Sequence, residues 1–137
     1  MAAILRAWIV GRTDRFVAAA PERGLYNRYS KDGTSNIWSG YTYLRVRQRE
    51  DPELYWRYSP MAYVRNIRTP LLILHSEEDL RCPIEQAEQL FTALKRRGCT
   101  VEFDRYPNES HGMSRTGQPK HRVHRLERIT EWFGRYL

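Results

Sequence analysis

The chain has 137 residues, the size of one ordinary domain, and its 41% apolar and 12% aromatic content is enough to bury a core. No apolar run approaches the roughly 20 residues that span a bilayer, and the opening MAAILRAWIVGRTDRF is too short and wrongly flanked for a secretory signal, so a soluble, cytoplasmic protein with no membrane partner is expected. The formal charge of +7 comes from arginines scattered from Arg6 to Arg135, many alternating with acids as in HRVHRLERITEW; this is the pattern of solvated helix faces and argues against nucleic acid as a partner.

Taken in chain order, Ala2 to Val10 lacks Gly and Pro and is predicted to form a short helix ended by Gly11. Phe16 to Ala20 is predicted as a short buried strand closed by Pro21. From Glu22 to Met61, Gly, Ser, Asn and Asp mix with Tyr26, Tyr29, Trp38, Tyr41, Tyr43, Tyr55, Trp56 and Tyr58. Aromatics at that density pack, so short helices joined by ordered loops are expected, with helical pieces at Arg45 to Gln48 and Pro52 to Trp56.

The second half is more regular. Thr69-Pro70 leads into LLILHS, a short apolar run suited to a buried parallel strand. After EEDLRC, Pro83 suits the first position of a helix in which Ile84, Ala87, Leu90, Phe91 and Leu94 recur at helical spacing until Gly98. TVEFDRY alternates as a second strand, PNESHG makes a turn, and a last helix is expected to bury Val123, Leu126, Ile129, Trp132, Phe133 and Tyr136. Strand, helix, strand, helix with short loops predicts an α/β fold with a parallel sheet of about three strands flanked by helices. No repeat or domain break interrupts residues 1–137. Cys82 and Cys99 flank the predicted helix, about 20 Å apart, and are expected to be free thiols. Neither has a second Cys or a His at metal-ligand spacing, so neither a metal nor a cofactor is expected.

In open parallel sheets, functional groups gather in the loops at the carboxyl ends of the strands. Asp79 and His111 each fall in such a loop, each just after its own strand. The pairing is chemically useful because a serine hydroxyl needs a histidine to take its proton, and that histidine needs a carboxylate to fix its tautomer and stabilise its charge. On the α/β-hydrolase fold the order is Ser, Asp, His, and Asp79 before His111 fits the last two steps. His75 lies too near the acid in sequence to be the third member and is read as a packing residue. His121 and His124 share a helix face with no carboxylate or Cys to complete a set, and are read as surface residues. Ser35, Ser39, Ser59, Ser110 and Ser114 all stand outside a Gly-x-Ser-x-Gly elbow.

TPLLILHSEEDLRCPIEQAEQLFTALKRRG, with VEFDRYPNESHGMSRTGQPKHRVHRLERITEWFGRYL, resembles the C-terminal part of the catalytic domain of the prolyl oligopeptidase family (peptidase S9), in its acylaminoacyl-peptidase-like and dipeptidyl-peptidase-like branch. WIVGRTDRF, NIRTP and the surroundings of Tyr58-Ser59-Pro60 extend the likeness over nearly the whole chain. The resemblance implies the C-terminal portion of an α/β-hydrolase fold spanning 1–137, with Asp79 as triad acid and His111 as triad base. It also implies that the serine elbow leads into WIVG from immediately before Met1, with Ala2, Ala3 and Ser76 where the family has glycines. Expected from this are a peptide or acyl-peptide substrate for the full-length relative and inactivity of the isolated chain. An open sheet edge near Phe16 to Ala20 would then be available for self-association or for pairing with a separate half of the enzyme.

Overall fold

The computed structural model describes residues 2–37 and 39–137, without the side chains of residues 2–4 and 39–40. Met1, Trp38 and the side chains of Ala2, Ala3 and Ser39, each of which carried an expectation, lie outside the described residues.

The chain forms helix α1 (Ala2–Val10), three short helices α2 (Arg28–Thr34), α3 (Ser39–Leu44) and α4 (Pro52–Arg57), and a 3-10 helix (Pro60–Asn66). Strand β1 (Leu71–Ser76), α5 (Glu85–Arg96), β2 (Val101–Tyr106), α6 (Met113–Thr116) and α7 (Pro119–Gly134) complete the chain order. Strands β1 and β2 pair in parallel, from Leu71 opposite Val101 to Ser76 opposite Tyr106. Every residue of β1 is buried, the reason its sequence is an unbroken apolar run before His75.

The third strand is present in reduced form on the other side of β1, where Ala19 bridges Leu71 and Glu22 bridges Leu74 in parallel. Ala19 N donates to the Pro70 carbonyl at 3.0 Å and Arg23 N to the Leu74 carbonyl at 2.8 Å, while the carbonyls of Ala19 and Pro21 accept from Leu72 and Leu74. Between those two donors stands Pro21, which has no N–H to offer Leu72. That missing rung splits the strand into two bridges. The pairing also runs later than Phe16 to Ala20: Phe16 and Val17 are exposed, whereas Ala18 to Glu22 are buried.

Alternate strand residues feed two core layers. Ala19, Leu71, Ile73 and Val101 join Ala7 and Val10 of α1 and Ala87, Leu90 and Leu94 of α5. Ala18, Ala20, Leu72, Leu74 and Tyr106 face Met113 and Trp132, with Ile129, Phe133 and Tyr136 packed alongside. This period of two is what a sheet covered on both faces requires. Gly98 ends α5 with φ of +71°, the left-handed turn that glycine makes at least cost.

Two further expectations are corrected. Arg45 to Gln48 is not helical: α3 occupies the preceding residues and stops where Arg45 turns left-handed at φ +60°. Val123 and Leu126 are exposed, 55% and 57%, because the face that α7 turns inward is mostly polar along its first half. His121 and His124 edge onto Tyr106, and Arg125 reaches Glu22. Apolar periodicity alone selected residues on the opposite side.

Candidate functional site

The ends of β1 and β2 are stitched together beyond the sheet. Glu77 N donates to the Tyr106 carbonyl at 2.9 Å and Glu78 N to the Glu109 carbonyl at 3.0 Å, so the loop after each strand is held against the other. Asn108, at φ +56°, makes the sharp turn in PNES that brings His111 back toward β1; Asn tolerates that conformation better than most residues.

Asp79 is almost wholly buried. Its Oδ1 accepts from the backbone N–H groups of Arg81 at 3.0 Å and Cys82 at 2.8 Å, which fixes the carboxylate within its own loop. Its Oδ2 lies 2.7 Å from Nδ1 of His111. A carboxylate accepts, so Nδ1 carries a proton, and in the neutral imidazole Nε2 is then the nitrogen with the free lone pair. The His111 side chain is 33% exposed, and among the described residues nothing bonds Nε2. The arrangement is a buried acid and an oriented, partly exposed imidazole.

The expected packing role suits His75. It is fully buried, its Nε2 donates to the Cys82 carbonyl at 2.7 Å, and it stands 3.7 Å from Asp79 Oδ2. Burial holds its pKa below the ordinary 6.5, more than the neighbouring Cys82 carbonyl and Asp79 raise it. Cys82 is a poor nucleophile, because burial, with Asp79 adding to it, pushes its thiol up to about 11. Both cysteines are free.

None of the described serines bonds His111. Ser35 donates to the Arg81 carbonyl, Ser59 is buried between Arg28 N and the Tyr55 carbonyl, and Ser110 accepts from Gly112 N. His121, read with His124 as a surface residue without a carboxylate partner, does have one: its Nδ1 lies 2.7 Å from buried Glu109, whose Oε1 also accepts from Gln118 N at the start of α7. Arg23 was also missed, and its Nη1 donates to the His111 carbonyl at 2.5 Å. Partners 12 and 88 residues apart leave no local pattern to read. Among the described residues no three His, Cys, Asp or Glu side chains converge as a metal-binding group, and no described helix is long and apolar enough to cross a membrane.

An Asp and a His presented from adjacent strand ends of a parallel sheet can be compared directly with known proteins. Residues 3–137 match the sequence profile described as the prolyl oligopeptidase family. The chain belongs to that family. A Bacillus subtilis (strain 168) protein described as the uncharacterized peptidase YuxL is 49% identical over 132 residues, which cover 95% of this chain and 20% of that protein. The acylamino-acid-releasing enzyme of Arabidopsis thaliana is 30% identical over 142 residues, covering 96% of this chain and 18% of the enzyme. Among solved structures, the Pyrococcus horikoshii acylaminoacyl peptidase superposes with a TM-score of 0.92 at 30% identity, covering 98% of this chain and 22% of its own. An acylaminoacyl peptidase in complex with Z-Gly-Gly-Phe-chloromethyl ketone superposes with the same score, identity and coverage. This prolyl oligopeptidase family chain thus has the fold of the α/β-hydrolase peptidases and spans about a fifth of the length of these relatives.

Proposed function

We propose that Asp79 and His111 are the acid and base of a Ser-Asp-His triad acting on peptide or acyl-peptide bonds, with the serine supplied from outside the described residues on a strand-to-helix elbow leading into α1. The observation that carries this reading is the 2.7 Å contact between Asp79 Oδ2 and His111 Nδ1, which leaves Nε2 without a partner among the described residues on a side chain that is partly exposed. In such a triad Nε2 takes the serine proton as the oxygen attacks the carbonyl, and returns it to the leaving amine as the acyl-enzyme forms. Water then repeats the cycle and releases the acid. Asp79 stays a carboxylate and stabilises the imidazolium. Support for a peptide substrate comes from the family, and from the related acylaminoacyl peptidase that binds a peptidyl chloromethyl ketone.

The test is fluorophosphonate labelling, which reports an activated serine. Residues 1–137 alone should not label. A chimera in which they replace the matching fifth of the B. subtilis relative should label, and Asp79→Ala or His111→Ala should slow it on the order of 10⁴-fold. Labelling of the short chain that His111→Ala abolishes would show that the nucleophile lies within it; a chimera indifferent to His111→Ala would remove the triad.

A second reading is a non-catalytic module that pairs through the segment ahead of β1. In its favour, Phe16 and Val17 are exposed, and among the described residues nothing bonds the backbone N–H of Ala18 or Ala20.

A further inference from the structure

Arg23 occupies an unfavourable place for an arginine. It closes the bridged third strand, where its N–H donates to the Leu74 carbonyl, and its backbone lies in the left-handed region at φ +46°. Glycine adopts that conformation without penalty, whereas a side chain with a Cβ is strained there. Gly24 comes immediately after, so the chain places arginine rather than glycine at the strained position. The guanidinium is also mostly buried, and its Nε is buried without a partner in the described structure. Neither feature favours stability. A residue kept against backbone strain and desolvation is held there for what its side chain does.

Its contacts identify the task. Nη1 donates to the backbone carbonyl of His111 at 2.5 Å, across 88 residues of sequence. Pairing with the adjacent Glu22 is secondary: Nη2 stands 3.6 Å from Oε2, and Glu22 is already gripped by both arms of Arg125 at 2.6 and 2.8 Å. The His111 loop is therefore tied on two sides, by its side chain to Asp79 and by its main chain to Arg23. Rotation about either tie alone would swing Nε2.

We infer that Arg23 is a positioning residue for His111: its guanidinium holds the main-chain carbonyl of the His111 loop, anchored to the sheet end and, through Glu22, to α7, so that the imidazole keeps one orientation toward the reacting serine. The inference rests on His111 being the base of the proposed triad, and it assigns Arg23 a role exerted through His111.

The test uses Arg23→Gly, which relieves the strained backbone while deleting the guanidinium, and Arg23→Lys, which keeps the charge but has one donor nitrogen in place of the planar fork. Labelling by fluorophosphonate is measured in the chimera with the B. subtilis relative, and the strongly hydrogen-bonded Nδ1–H of His111 is monitored by proton NMR in the same protein. The expected result for Arg23→Gly is an unchanged or raised melting temperature, labelling slowed on the order of 10²-fold, and a broadened or lost Nδ1–H signal. Added guanidinium should restore part of the rate, and Arg23→Lys should fall between. An unchanged labelling rate with an unchanged Nδ1–H signal in Arg23→Gly would overturn the inference. If Arg23→Gly fails to fold, Arg23→Lys decides by the same pair of readouts at equal melting temperature. The NMR signal needs no nucleophile, so indifference of labelling to His111→Ala would sink the triad while loss of that signal in the Arg23 variants would still establish positioning.

Discussion

His75, the penultimate residue of β1, has no exposed surface; it donates from Nε2 to the Cys82 carbonyl and its Nδ1 is without a partner in the described structure. Burial lowers its pKa below 6.5, so as pH falls the unfolded chain takes up this proton first and is favoured. Its contribution to stability is therefore present above pH of about 6.5 and declines as pH falls toward the folded-state value. Thermal melts between pH 7.5 and 5 should show a falling melting temperature, and His75→Gln, which keeps a donor but cannot ionise, should flatten that slope; an identical slope in the variant would assign acid sensitivity to other groups. At this scale, position along a strand is the property that the sequence exposes. The approach of Asp79 to His111 was legible because each falls in the loop that follows its own strand, in an order that a parallel sheet brings together. The bonds from Arg23 to His111 and from His121 to Glu109 were not, because they join segments whose approach depends on the fold being complete.

Among the elements, α7 best separates pattern from packing. Its apolar residues predicted a continuous buried stripe, but only the second half, from Ile129 through Trp132 and Phe133, packs into the core, joined by Tyr136 just beyond the helix. Arg128 sits between the halves and bonds Asp104 at 2.7 Å, Glu102 at 2.6 Å and Glu131 at 2.7 Å. One guanidinium thus joins α7 to β2 by neutralising carboxylates on both. Arg128→Met would keep the apolar stem while leaving Asp104 and Glu102 facing each other with less positive charge. The expected loss is about 1–3 kcal/mol by urea unfolding at low salt, shrinking as salt screens the remaining acids. A loss independent of salt would mean that the arginine acts through packing of its stem rather than its charge. Sequence reading places strands and helices well where one face is uniformly apolar, as in β1 and α5. It falters where a helix is fastened by ion pairs, because charges on an inward face look like charges on an outward one.

For the molecule as a whole, β1 lies at the centre of a three-membered parallel arrangement with helices on both faces, and the segment from Ala18 to Arg23 forms its outer member. The α/β class and the parallel sheet were legible from alternation of strand and helix; the thinning of the outer member to two bridges came from Pro21, whose effect depends on a register known only once β1 is in place. The outer side of this member is partly guarded, since Arg6 of α1 donates to the Ala20 carbonyl at 2.9 Å and Ala18 and Ala20 are themselves buried. What remains open is Phe16 and Val17, together with two backbone N–H groups that no described residue bonds. If this side pairs two copies of the chain, the contact is apolar and backbone-mediated, while each copy carries a formal charge of +7. Attraction would then be nearly indifferent to salt, whereas repulsion between copies is screened within about 10 Å at 0.1 M. Sedimentation velocity at micromolar concentration should accordingly show dimer increasing from low to moderate salt, and Val17→Lys with Phe16→Lys should return the chain to monomer. Dimer that dissolves on adding salt would instead locate the contact in ion pairs, and a monomer under every condition would leave the catalytic reading without this rival.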